Sequence, residues 1–157
     1  MTSLFLRNLF YTIIQPGIVA GLVPYMLVRD RLSEVLSSPL KFYQLVALLL
    51  IAVGLVLLLS SVFDFSRYGE GTLSPLDPTK KLVIRGFYRF SRNPMYLAVL
   101  LILLGETIFV RSRHLGIYMV FVAIAFLIFV VFFEEPRLQR KFGTEYSDYK
   151  GSVRRWL

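Results

Sequence analysis

Arg85, Arg89 and Arg92 crowd the approach to an Asn93-Pro94 pair, and two adjacent carboxylates, Glu134 and Glu135, stand farther along the chain. Asn before Pro is a helix-start signature. The Asn side chain can accept from a first-turn N–H, and proline at the first helical position gives up a donor that has no partner there anyway. The positive end of such a helix, ringed by arginines, suits a carboxylate or a phosphate. Glu134 and Glu135 come directly after nineteen apolar residues, 115–133, where charges must find water or cations. Arg89, Arg92, Arg137 and Arg140 are the nearest candidates. Two arrangements meet that demand. In one, Glu135 makes a structural ion pair with an arginine. In the other, the helix start and arginines hold an anionic group while the carboxylates face a cation or orient a proton-bearing nucleophile.

The elements that must position these residues are apolar. Of 157 residues 56% are hydrophobic, and the mean hydropathy is +0.64. This composition predicts an all-α integral membrane bundle, one domain over residues 1–157, with about four spanning helices of roughly 20 residues each. The spans fall at 9–28, 42–63, 94–110 and 115–133, with a polar loop at 64–93 and a C-terminal amphipathic tail at 134–157. Only residues 111–114 separate the third and fourth spans, so these form an antiparallel hairpin, the third just long enough to cross. The hairpin carries the chain away from Tyr96 and returns Glu134 and Glu135 to the side of Arg92.

Composition also excludes chemistry. The absence of cysteine removes disulfides, thiolate metal sites and a thiol nucleophile, and the single His114 cannot build a metal centre alone. A formal charge of +8 in so apolar a chain marks cytoplasmic loops and contact with anionic lipid, not nucleic acid. Thirteen basic residues fall on the side of the termini and the long loop and five on the other. The positive-inside rule therefore makes both termini cytoplasmic. The first span lacks a small-residue cleavage site and is expected to be a retained helix.

Finer expectations follow element by element. Pro16 and Pro24 predict kinks in the first span, and Gly17 with Gly21 offers a small-residue face for another helix. Residues 29–41 form an interfacial turn or short helix. Gly54 is the close-approach position of an otherwise aliphatic second span. Glu106, toward the far interface, pairs with Arg111 or Arg113, and His114 is solvated. Gly143 stops a short basic helix after Glu135, and Tyr146, Tyr149, Val153 and Trp156 continue an aromatic face along the membrane surface.

Together LVIRGFYRFSRNPMY, the apolar hairpin and EEPRLQRKFGTEYSDYKGSV resemble the isoprenylcysteine carboxyl methyltransferase and phospholipid methyltransferase superfamily of integral membrane enzymes, over about residues 69–153. The family's Leu-Val, Gly and Tyr positions fall on Leu82, Val83, Gly86 and Tyr88. Its Arg-His-Pro-x-Tyr motif falls on Arg92, Asn93, Pro94, Met95 and Tyr96, and its glutamate pair on Glu134 and Glu135. The Gly-x-Gly of the phospholipid branch is similar to Gly69 and Gly71, and Leu138, Phe142, Gly143, Tyr146 and Tyr149 match the closing segment. Three positions depart. Asn93 replaces a histidine, Val130 stands where prenylcysteine-methylating members carry an arginine, and Val153-Arg154 replaces a Val-Pro ending.

The resemblance implies S-adenosylmethionine as cofactor and a lipid or other lipophilic acceptor arriving sideways from the bilayer. It implies Gly69, Gly71, Leu82, Val83, Tyr88, Arg92, Asn93, Pro94, Met95, Tyr96, Glu134 and Glu135 as cofactor-binding residues. Arg92 and Glu135 are the expected catalytic pair, Glu134 contacting the cofactor and Glu135 orienting the acceptor or accepting its proton. Two other readings compete. One is a membrane reductase of the related sterol-reductase group using NADPH, and the other is a non-enzymatic membrane adaptor.

Overall fold

The computed structural model describes residues 14–69 and 81–156. Every regular element among them is helical. A π-helical stretch, Ile18–Leu22, leads into α1, Val23–Ser37. Then come α2 at Phe42–Tyr68, a 3-10 turn at Gly86–Arg89 and α3 at Pro94–Val110. Helix α4 covers Arg113–Phe129, passes through a second π-helical stretch, Val130–Glu134, and continues into α5, Glu135–Phe142. Last is α6, Thr144–Ser152.

Two proline positions shape this order in the same way. Leu22 precedes Val23-Pro24 and Glu134 precedes Glu135-Pro136. In each case the N–H just before the proline closes a widened turn, Val23 onto the Ile18 carbonyl and Glu135 onto the Val130 carbonyl. A proline ring inside a helix collides with the carbonyl four residues back. For Pro24 that residue is Ala20, whose φ of −110° and ψ of 17° leave the helical region. The kink expected in the first span is therefore present, and the helix runs on to Ser37. The segment 29–41 is no interfacial turn over most of its length, because Arg29 to Ser37 continue α1 and only residues 38–41 connect.

Helices α2 and α3 make the closest pairing, and α4 packs on α3 as the second arm of the expected hairpin. The crossing depends on one glycine from each helix. A Cβ on Gly54 would come within 2.7 Å of Ile102 and 3.0 Å of the Ala98 carbonyl, and one on Gly105 within 2.8 Å of the Ala47 carbonyl. Gly54 was legible as a close-approach position, whereas its counterpart Gly105 was not singled out. Gly17 and Gly21 have nothing within 4 Å, so no described helix packs on the face they form. The core between the helices is Leu58, Val62, Ala98, Val99, Ile102, Leu103 and Val122.

Helices Phe42–Tyr68 and Arg113–Phe142 are long and apolar enough to cross a membrane, and only 28% and 17% of their most apolar windows are buried. The core helix of a soluble protein would hide most of that surface, whereas these two helices leave it exposed. Helix α3 is as apolar but has 17 residues, about 25 Å at 1.5 Å per residue. The first expected span begins outside the described residues. Helix α2 extends five residues past the expected end of its span, so the polar loop begins at Gly69 and not at Asp64.

Candidate functional site

The hairpin brings Tyr96, in the first turn of α3, to the end of α4. There the Tyr96 hydroxyl donates to Glu134 Oε2 at 2.8 Å, and its ring packs on Phe126 with centroids 4.7 Å apart. The extra residue of the π-helical stretch turns the two adjacent carboxylates to different neighbours. Glu134 faces α3. Glu135 faces the tail, where Arg155 Nε and Nη2 donate to its two oxygens at 2.8 and 3.0 Å. Arg92 Nη1 lies 3.1 Å from Oε1, and Lys150 Nζ 3.8 Å from Oε2. The Glu135 and Arg92 side chains are 9% and 8% exposed, which makes this a buried ion cluster.

The apolar run ends at Phe133 and both carboxylates follow it; their environments separate their acidities. Burial pushes the Glu134 carboxyl up, against the Tyr96 hydrogen bond, with the charges of Glu135 raising it and of Arg137 lowering it. Burial works the same way on Glu135, but the Arg155 hydrogen bond and the charges of Arg92, Arg155 and Lys150 together hold it below the ordinary carboxylate range. Adjacent in sequence, they differ in kind: surrounding cations favour the charge of Glu135, whereas burial disfavours that of Glu134.

The tail closes this end of the bundle. Residues 153–155 run against 91–93: Arg92 N donates to the Arg154 carbonyl at 3.0 Å, and Asn93 Nδ2 and Ser91 Oγ both donate to the Arg155 carbonyl. Tyr149 Oη donates to the Tyr88 carbonyl at 2.6 Å. Tyr146, Tyr149 and Val153 are buried with Leu82, Leu138 and Phe142 around them. The aromatic face expected along the membrane surface is thus folded back onto the loop, because these rings find apolar partners and a carbonyl within the chain. The Val153-Arg154 ending also becomes intelligible. What Arg92 uses is the backbone carbonyl of position 154, which any residue supplies.

Several expectations change at the helix start. Asn93 occupies the N-cap position of α3, yet its side chain makes no capping bond, being spent on Arg155. The three arginines diverge. Arg85 lies over the Tyr68 ring, 4.8 Å from its centroid, and Arg89 is exposed. Arg92 alone turns inward, where it also donates from Nη1 to the Tyr146 hydroxyl. Of the expected carboxylate partners Arg92 is present at Glu135. Arg155 and Lys150 were missed, because two short helices and the reversal at Gly143 separate them from Glu135 in sequence. The Arg154-Arg155 pair, between Val153 and Trp156 of the aromatic face, was the one available hint.

Among the other expected site residues, Val83, Tyr88 and Pro94 are buried and Met95 packs against the helical core. Gly69 is joined to Lys81 by a backbone hydrogen bond, and Gly71 lies outside the described residues. Gly86 has a φ of +54°, which strains a residue with a side chain, and a Cβ there would run into the Asp64 carboxylate. Val130 is fully buried. Glu106 has no ion-pair partner among the described residues; its Oε2 is buried without a hydrogen bond, while Arg111 lies over Tyr43 instead.

A methyl donor that bears an amino acid would need a donor for its carboxylate and an anion near its positive charge. Arg92 Nε is a buried donor without an acceptor, and Tyr96 fills one of the roughly four acceptor positions a carboxylate such as Glu134 offers. The residues fit such a group. Comparison with known proteins agrees in kind. Residues 42–145 match the phospholipid methyltransferase family. An uncharacterized protein of Haemophilus influenzae is 40% identical over 63 residues, which make up 40% of this chain and all of that protein. No solved structure matches the chain.

Proposed function

This chain belongs to the phospholipid methyltransferase family, and from that premise we propose that it is an S-adenosylmethionine-dependent methyltransferase acting on a lipid or other lipophilic acceptor at the cytosolic membrane face. It crosses the membrane four times, with both termini cytoplasmic, and takes its acceptor from the bilayer between the helices. When bound, the cofactor supplies a methyl group on a positively charged sulfur for transfer to a nucleophile.

The protein's own contribution is position and charge. Arg92 and the start of α3 bind the carboxylate end, and Tyr96 fixes the Glu134 carboxylate toward positive charge. Glu134, with its acidity weakened by burial, is the group suited to take a proton from an acceptor that carries one. Glu135 holds Arg92 in place; three cations make it too weak a base for the proton-accepting role first expected of it. The folded tail excludes water from this end. Alignment of that kind can lower a barrier by several kcal/mol. A buried valine at position 130 offers no clamp for a substrate carboxylate, which favours an amine, thiol or hydroxyl acceptor over a prenylcysteine carboxylate.

The observations that carry the reading are the Tyr96–Glu134 hydrogen bond and the unsatisfied Arg92 Nε, both inside the family-matched segment. Purified protein with methyl-labelled cofactor and a total lipid extract should yield a labelled lipid, and S-adenosylhomocysteine should raise its melting temperature. Stabilisation by NADPH with none by S-adenosylhomocysteine would overturn the proposal.

A further inference from the structure

At the opposite end of the hairpin from Glu134, a cavity of about 830 Å³ opens between the start of α2, the end of α3 and the start of α4. It lies outside the site described above. From Tyr96 to Arg111 the chain rises about 22 Å along α3, so the two sites face opposite membrane surfaces. The walls are apolar, supplied chiefly by Ile108, Ile117 and Val120, and its rim carries Arg111 and Arg113. Glu106 is not part of the lining, and neither arginine is ion-paired to a carboxylate among the described residues.

Arg111 is held in place. Arg111 has φ 53° and ψ 42°, left-handed backbone that is costly for a residue with a side chain. Glycine or asparagine is the ordinary occupant of that position after a helix. In this conformation the Arg111 guanidinium lies over the Tyr43 ring, 5.2 Å from its centroid, at the cavity rim. Ser112 caps α4 by accepting from the Leu115 N–H, which fixes the turn between the two arginines. A cationic rim above an apolar slot at a helix end has the polarity of one ligand class: an anion joined to a hydrocarbon chain. The cavity is an open groove, as access from the side of the bilayer requires.

We propose that this cavity is a binding site for an anionic phospholipid of the leaflet opposite the methyl-transfer site, its phosphate at Arg111 and Arg113 and one acyl chain along Ile117 and Val120. The site rests on the membrane-spanning reading above and is independent of methyl transfer.

Native mass spectrometry of the detergent-purified protein with added phosphatidylglycerol or phosphatidylcholine tests this. The wild type should retain phosphatidylglycerol, with at least tenfold less phosphatidylcholine and no retention of inorganic phosphate. The double variant R111Q/R113Q should lose that preference at least tenfold. Gly116→Leu fills the slot without changing charge, since a Cβ at Gly116 meets only Thr107 at 3.5 Å; it should displace the lipid with the arginines intact. Stabilisation by S-adenosylhomocysteine, measured on the same samples, should be unchanged in both variants. Equal retention of phosphatidylglycerol by wild type and R111Q/R113Q, or undiminished retention by G116L, would overturn the proposal. Loss of methyl transfer with lipid selectivity intact would instead sink the proposed function and leave this site standing.

Discussion

The two ends of the α3–α4 hairpin handle charge in opposite ways. At the Pro94 end, the carboxylate of Glu135 gathers Arg92, Arg155 and Lys150 from three separate segments and is closed over by the tail. At the Val110 end, Arg111 and Arg113 stand over a cavity with no ion-paired carboxylate among the described residues. The helices between are common to both. Charge at a membrane boundary is neutralised either by the chain or by what the chain binds; the cluster around Glu135 is the first case, and the lipid site proposed at Arg111 and Arg113 would be the second.

Breaking the closed end should have the largest effect. Glu135→Ala leaves the Arg92 guanidinium buried without its anion, a defect worth about 3–5 kcal/mol, and chemical unfolding should register it together with faster proteolysis of the tail. R111Q/R113Q at the open end should leave the unfolding midpoint where it was. A melting curve for Glu135→Ala that overlays the wild type would erase the contrast. Titration probes the same latch. Because the Glu135 carboxyl is held low when folded, its stabilisation is complete above the unfolded carboxyl value of roughly 4.3 and is lost as pH falls through its folded value. Glu134 has the opposite sign. Its raised carboxyl takes a proton first in the native state, so acidification from neutrality initially stabilises the fold. Unfolding midpoints against pH should lose the early rise in E134Q and the later fall in E135Q.

A change at the shared crossing should disturb both ends. Gly54→Leu drives a side chain into Ile102 and the Ala98 carbonyl, and overpacking of this kind costs about 1–3 kcal/mol. Both cofactor stabilisation and lipid retention should weaken, and an effect confined to one end would show that the ends are not braced through α2. Tyr96→Phe removes one hydrogen bond from the half-buried Glu134 carboxylate, a loss of about 1–3 kcal/mol. The rate of methyl transfer should fall far more than the melting temperature; equal activity would remove Tyr96 from the site. Smallest is Asn93→Ala, which removes one of the two donors to the Arg155 carbonyl for about 1 kcal/mol and should show as increased amide exchange at residues 153–155.

Much of this was legible because periodicity and boundary charge are local properties. The apolar runs located the helices, the short 111–114 connection required a hairpin, and the hairpin put Glu134 and Glu135 at the Arg92 end. Boundaries failed where continuity was cheap: α1 ran on through Arg29 to Ser37 and α2 through Asp64 to Tyr68, since polar residues in a helix that has left the membrane cost little. The helix start misled in a different way. Asn93 and Pro94 begin α3 as expected, but the Asn93 side chain and Arg92 are committed to a tail sixty residues away in sequence, and no local signal distinguishes a cap from a tether.

The sequence by itself determined the helices, the family motif and the side of the bundle on which the carboxylates gather, since each follows from residue type and spacing along one chain. Only the tertiary structure decided that Glu134 and Glu135 do different things. A proline-driven wide turn at Val130–Glu134 points one to Tyr96 and the other to Arg155, and burial and charge acting through space, not along the chain, then set their acidities apart.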